Sequence, residues 1–154
     1  TPSGIGTSKG TLLMVIYSLG AAIVIGPLIY LTHILAAEMA AGLIRMGICL
    51  SGLLGMLVYF LGYILAAPIA GLLVGAAIGK GAVHGKSRNS VTAKRIGIIM
   101  GLVCFVSFIA TYTSALVMKE GFDSWIDYLK LGWNLIAIPI AAYYTADESI
   151  KGTP

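Results

Sequence analysis

The sequence predicts an all-α polytopic membrane bundle, and three observations predict it. Of the 154 residues, 58% are hydrophobic and 10% charged, where a soluble domain runs near 45–50% and about 25%. The mean hydropathy is +0.96. Several uncharged stretches approach or exceed the roughly 20 residues that a helix needs to cross a hydrocarbon core of about 30 Å. This composition excludes most soluble enzyme classes, nucleic-acid readers and disordered tails.

The elements follow in order along one domain, residues 11–147. Residues 1–10 (TPSGIGTSKG) are polar and turn-rich. They read as a linker-like tail, either a trimmed terminus or the stub of a leading domain. The first span covers 11–32, with Gly26-Pro27 as a kink. Residues 33–47 are rich in small side chains and carry His33, Glu38 and Arg45, which suggests a turn or interfacial connection. From Met46 to Gly79 there are 34 residues without a charge. One straight helix of that length would measure about 50 Å, well beyond the hydrocarbon core. Pro68 and the residue before it resist helix, so the reading is two spans, 42–62 and 66–79, joined by a tight hairpin. That makes five transmembrane helices, or four if 42–79 is one long kinked helix. A basic loop occupies 80–95, a span covers 96–118, the acids concentrate in 119–130, and a last short span covers 131–145. Residues 148–154 form a polar tail.

The net charge of +4 is unevenly placed. Lys80, Lys86, Arg88, Lys94 and Arg95 lie in the 80–95 stretch, which holds no acid. Cations in short loops mark the cytoplasmic side, so this loop and the C-terminus are expected there, in the inner membrane of a bacterium. Five spans place the N-terminus outside, four place it inside. The same cations suit anionic lipid headgroups, at about 1 kcal/mol each. No aromatic interleaving suggests nucleic acid.

Groups able to carry chemistry are scarce. The two histidines stand far apart, with no HExxH, no paired carboxylates within a span and no nucleophile elbow, and Gly79-Lys80-Gly81 does not follow a strand as a phosphate loop would. Cys49 and Cys104 sit in apolar segments and read as small buried hydrophobes. Glu38 and Arg45 lie near a span end, where a charge can reach the interface; a relay would place it mid-membrane. Asn134 is the only amide within a span and fits an inter-helix hydrogen bond. His33 is the one cofactor candidate: a neutral imidazole at a span end can ligate haem iron or a chlorin magnesium, with a second ligand from another chain. No resident metal site is expected.

Two patterns concern packing. Ala67, Gly71, Gly75 and Gly79 recur every four residues on one helix face, and Gly97 and Gly101 make a second pair, so that backbones can approach closely. The expectation is packing between these two consecutive helices, the alternative a seam between copies of the chain. Gly52 and Gly55 add a weaker face. Phe122, Trp125, Ile126, Leu129 and Trp133 recur at helical spacing opposite Asp123, Asp127 and Lys130, with Asp123 placed as an N-cap. This reads as a short amphipathic helix near 122–131 lying in the outer interface, or as a surface for a partner subunit. Tyr143 and Tyr144 would form the inner aromatic belt.

Residues 71–101 (GLLVGAAIGKGAVHGKSRNSVTAKRIGIIMG) resemble a pattern in small, uncharacterised bacterial polytopic membrane proteins. There a glycine-spaced span ends in a basic loop and runs into another span, sometimes behind a zinc-ribbon domain. His84, Lys86, Ser87 and Arg88 replace the usual run of glycines and arginines. The resemblance covers about a fifth of the chain and implies topology and a bacterial membrane setting, with no activity.

The function expected from these residues is a non-catalytic membrane subunit, a structural, assembly or anchoring component of a larger complex, with an energy-transducing complex as a natural host. Its partners would be other membrane subunits or copies of itself, together with anionic lipid. The alternative is a small homo-oligomeric channel or transporter with Glu38 or Asn134 at its mouth. A third reading is a haem- or pigment-binding subunit using His33.

Overall fold

The computed structural model describes residues 4–87, 89–117 and 125–151. Among them are four helices: α1 (Gly4–Arg45), α2 (Cys49–His84), α3 (Ser90–Val117) and α4 (Trp125–Lys151). Stretches in α1, α2 and α3 are long and apolar enough to cross a membrane. The five-span expectation is corrected at four places. Residues 42–45 end α1, and 49–84 form one helix, so the break at 63–68 is absent. The turn expected over 33–47 shrinks to Met46–Ile48. The basic loop shrinks to 85–89, because Lys80 lies inside α2 and Lys94 and Arg95 inside α3. The amphipathic segment is no separate helix: from Trp125 onward it forms the first turns of α4, and no proline or helix stop lies between it and the last span.

The continuity of α1 and α2 through their prolines has a specific cause. A proline has no N–H, so it leaves the carbonyl four residues earlier without its helical donor. In lipid such a carbonyl must be satisfied by a neighbouring helix or side chain. Pro68 orphans the Ile64 carbonyl, and the Trp133 indole N–H of α4 donates to that oxygen at 2.9 Å. Pro27 orphans the Ile23 carbonyl, and the Ser107 hydroxyl of α3 donates to it at 3.0 Å. Each proline therefore latches the hairpin α1–α2 to one of the other two helices, and neither ends its own.

The turns obey local rules. Gly47 has φ 74°, the left-handed conformation that glycine adopts without strain after a helix end. At the other end of the molecule the Asn89 side chain accepts from the Thr92 N–H at 3.2 Å and caps α3.

Around the bundle the order is α1, α2, α4, α3. α2 and α3 approach across the short diagonal, and α1 and α4 make no backbone contact. The small-residue ladder of α2 faces α4. A Cβ on Gly71 would lie 2.5 Å from the Ala141 Cβ, one on Gly75 would lie 2.5 Å from the Thr145 Cβ, and one on Gly79 would strike Ser149. From the other side, Gly97 of α3 meets the Ala142 carbonyl and Gly101 meets Pro139. Both glycine sets therefore hold α4, where the spacing had suggested that they hold each other. The matching steps of four on α2 (71, 75, 79) and α4 (141, 145, 149) also show the two helices running in the same direction.

The ends of the bundle differ. Gly10 lies against Gly85, and Gly79 against Ser149, so both described termini share the end that carries the 85–89 loop. At the opposite end Tyr112 of α3 meets Tyr30, and Lys130 of α4 meets Tyr59. Counted from those pairs at 1.5 Å per residue, α1 runs about 15 Å past the described end of α3, and α2 about 8 Å past that of α4. The hairpin tip therefore extends past the described ends of α3 and α4, held internally by Gly55 against the Ala40 carbonyl and Gly62 against Ala36.

Candidate functional site

Polar side chains gather at the two ends of the bundle, with an apolar core between. Its centre is Phe108, Cys104, Ile138, Val74 and Ile78, all fully buried.

At the end with the hairpin tip, aromatic rings from two other helices flank His33 of α1. The imidazole centroid lies 4.2 Å from that of Tyr63 on α2 and 5.4 Å from that of Phe108 on α3. Phe108 continues to Tyr112, and Tyr112 to Tyr30. From α4, the Lys130 ammonium lies 3.9 Å from the Tyr63 ring centroid and donates to the Tyr59 hydroxyl. A cation over an aromatic face is held by the ring quadrupole, so the lysine sits with its charge on tyrosine. One turn further, Asn134 is fully buried and its side-chain N–H donates to the Lys130 carbonyl at 2.7 Å. His33 Nε2 and Asn134 Oδ1 are buried without a hydrogen-bond partner.

At the other end, Asp147 of α4 accepts from the Ser90 hydroxyl at the start of α3 and pairs with Lys151 at 3.0 Å and Lys94 at 3.8 Å. The Ser90 hydrogen bond, then that from Lys151, holds the Asp147 carboxyl below its ordinary range. Lys94 also lies 5.6 Å from the Tyr143 ring centroid. This cluster ties the last turn of α4 to the first turn of α3.

The remaining predicted residues distribute as follows. Lys80, Lys86 and Arg95 are exposed at the loop end and Lys94 is partly exposed, while Arg88 lies outside the described residues. Phe122 also lies outside them, as do the side chains of Trp125 and Ile126. Leu129 is exposed. Trp133 is half-exposed and is the donor to α2. Ala67 is fully buried, one residue before Pro68. Glu38 and Arg45 are exposed on the projecting part of α1. Cys49 is exposed at the tip and Cys104 buried, which corrects the expectation that both are buried.

His33 differs from the haem-ligand expectation in its surroundings. A porphyrin is a plate far wider than an imidazole and needs open space in front of Nε2, whereas this ring is buried between aromatic side chains with the Lys130 cation beside them. Among the described residues, no group of three or more His, Cys, Asp or Glu is placed to hold a metal.

The sequence pattern points to His33 and to Asn134, but not to the rings around His33 or to the Lys130 carbonyl that Asn134 binds. The tyrosines at 59 and 63 and Lys130 were missed. One turn of spacing between Tyr59 and Tyr63, facing a lysine at the start of the last helix, was the available signal. Comparison with protein-family models, with curated proteins and with solved structures finds no match to this chain.

Proposed function

We propose that the chain is a non-catalytic integral membrane subunit that anchors or assembles a larger membrane complex, and that the α1–α2 hairpin tip is its docking element. The observation that carries this reading is the tip itself. A hydrocarbon core of about 30 Å spans roughly 20 residues of helix. Measured from Lys80, it is used up near Phe60 on α2. The stretch beyond, Met46–Tyr59, carries no charge, and Leu50, Leu53, Leu54, Met56 and Leu57 are all exposed there. A contiguous apolar surface of this kind marks an interaction site. The α2 side of the tip offers no charge to complement, so its partner there is an apolar helical face of another membrane protein, while Glu38 and Arg45 are exposed on the α1 side.

Topology follows from the cations. Lys9, Lys80, Lys86, Lys94, Arg95 and Lys151 lie at one end, and Arg45 and Lys130 at the other. The basic end is placed in the cytoplasm by the positive-inside tendency, in contact with anionic lipid. Four crossings then bring both termini to that side of a bacterial inner membrane. α4 is the least apolar helix, and its depth alongside α2 between Lys130 and Asp147 supports counting it as the fourth crossing. The channel alternative is weakened because the ladder Gly71, Gly75, Gly79 is occupied by α4 and cannot line a pore.

The test is extraction in mild detergent followed by native mass measurement. The wild-type chain is expected with a second, different membrane protein. Leu53→Glu combined with Leu57→Lys is expected to release it, with thermal stability unchanged within about 0.5 kcal/mol. A wild-type monomer, a homo-oligomer, or a partner kept by the double variant each contradicts the reading.

A further inference from the structure

α1 and α2 pack closely where Gly81 meets the Leu13 carbonyl and again where Gly62 meets Ala36. Between those contacts a cleft of about 150 Å³ opens between the two helices. Its lining includes Leu28, Ile29 and Thr32 of α1 and Ala66, Ile69 and Leu73 of α2. Leu28, Ile69 and Leu73 are about half exposed, so the cleft opens on the outer surface of the bundle. The Thr32 hydroxyl donates to the Leu28 carbonyl at 2.8 Å, which leaves the cleft without a free side-chain donor. Counted from Lys80 at 1.5 Å per residue, the α2 lining lies about 10–21 Å deep. That depth brackets the midplane of a hydrocarbon core of about 30 Å.

The cleft leads toward charge. On α2 the stripe Ala66, Leu73, Ala77, Lys80 and His84 follows helical steps along one face, from the cleft to the basic end. On α1 the matching stripe runs from Leu28 past Ala21 to Tyr17, and the Tyr17 and His84 rings meet at 5.5 Å. The small side chains of Ala21 and Ala77 leave the way between them open. Lys80 and His84 are exposed, and Lys80 takes part in none of the ion pairs found among the described residues. An apolar channel half a bilayer long therefore ends in an ammonium, an imidazole and a phenol. A partner helix is about 10 Å across and is too wide for the cleft, whereas a single hydrocarbon chain fits.

We propose that the α1–α2 cleft holds one acyl chain of an anionic phospholipid from the leaflet at the basic end, with its phosphate at Lys80, His84 and Tyr17. A lysine ammonium is a point-charge partner for phosphate, and the imidazole and phenol supply further donors. The chain fills the space left where α1 and α2 part, so one lipid is bound as a component of the hairpin. The site rests on the membrane placement proposed above and is independent of the docking role of the tip.

Native mass measurement of the full chain with added lipid tests this. Recovery of the chain from the membrane fraction checks the placement first, and any protein partner is read separately in the same spectra. One phosphatidylglycerol per chain is expected to be retained several-fold more than phosphatidylcholine with the same acyl chains. Lys80→Gln is expected to erase that preference. Leu73→Trp, which fills the cleft from its exposed rim, is expected to lower retention of the lipid several-fold. Ile99→Trp, on the exposed surface of α3, is expected to change neither. In lipid nanodiscs, phosphatidylglycerol with a diazirine at its chain end is expected to label 25–32 and 66–73 above the rest of the bundle. The two wild-type measurements stand even if a variant does not fold. Equal retention of the two lipids overturns the proposal, as does labelling spread evenly over the lipid-facing surface, which would show bulk lipid only. Displacement by chain-free glycerol phosphate also overturns it, because the headgroup alone would then be what binds.

Discussion

Gly75→Leu is expected to lower the thermal stability of the bundle by about 1–3 kcal/mol or more, the range for overpacking a filled contact. Even the first atom added has no room: a Cβ at this position would stand 2.5 Å from the Thr145 Cβ and 2.9 Å from the Ala146 nitrogen. One of those neighbours is backbone, so α4 as a whole must move. In lipid little hydrophobic force draws helices together, and close approach at small residues carries much of their association. The loss should therefore appear as separation of α4 from α2, read by a shift in the fluorescence of Trp133, whose indole rests on the α2 backbone, as well as by melting. Gly20 supplies the control. Nothing lies within 4 Å of its added Cβ, so Gly20→Ala removes only backbone freedom from a helix. That change is expected to be neutral or to stabilise by up to about 1 kcal/mol. Equal losses at the two positions would show that the ladder is not an α2–α4 seam.

Trp133→Phe is expected to cost about 1–3 kcal/mol, because it strips the Ile64 carbonyl of the indole donor that stands in for its missing helical partner. Pro68→Ala restores a backbone N–H four residues on, so the carbonyl regains its helical partner. In that background Trp133→Phe should cost far less. The double-mutant cycle reads the coupling, expected between 0.5 and 3 kcal/mol, a range typical of residues sharing one partner. Additive costs would mean that the indole contributes by packing alone. Ser107 and Pro27 form the same pair in α1.

These two seams also explain what was legible in the sequence. The helical class and membrane setting follow from apolar runs, which need no partner to be recognised. The glycine faces were legible too, because spacing defines a face. Which helix fills that face was not, since Gly71 and Gly97 carry no mark of Ala141 or Ala142. The span count failed at Pro68 for the same reason. Proline breaks a helix unless something distant satisfies the freed carbonyl, and Trp133 is 65 residues away along the chain. Aromatic spacing alone assigns Trp133 to an interfacial stripe, a pattern that a half-exposed indole bound to a neighbouring helix reproduces. At the polar end, His33 stood out because a lone imidazole in an apolar chain is conspicuous. Its tyrosine neighbours did not, since Tyr59 and Tyr63 look like belt residues until α4 brings Lys130 onto them. The basic loop was located correctly and overestimated in length, because lysine and arginine are good helix formers and Asn89 marks the true start of α3.

The central claim is that the hairpin tip is an apolar surface covered by a partner, and the chain supplies its own probe there. Cys49 is exposed at the start of α2 while Cys104 is buried. A membrane-impermeant maleimide applied to the purified protein in a lipid nanodisc is expected to modify Cys49 and leave Cys104 untouched. Applied to native membranes from the side opposite the basic loop, it is expected to label Cys49 several-fold more slowly. Equal labelling in both settings would contradict the docking role, and no labelling in either would place the tip inside the bilayer.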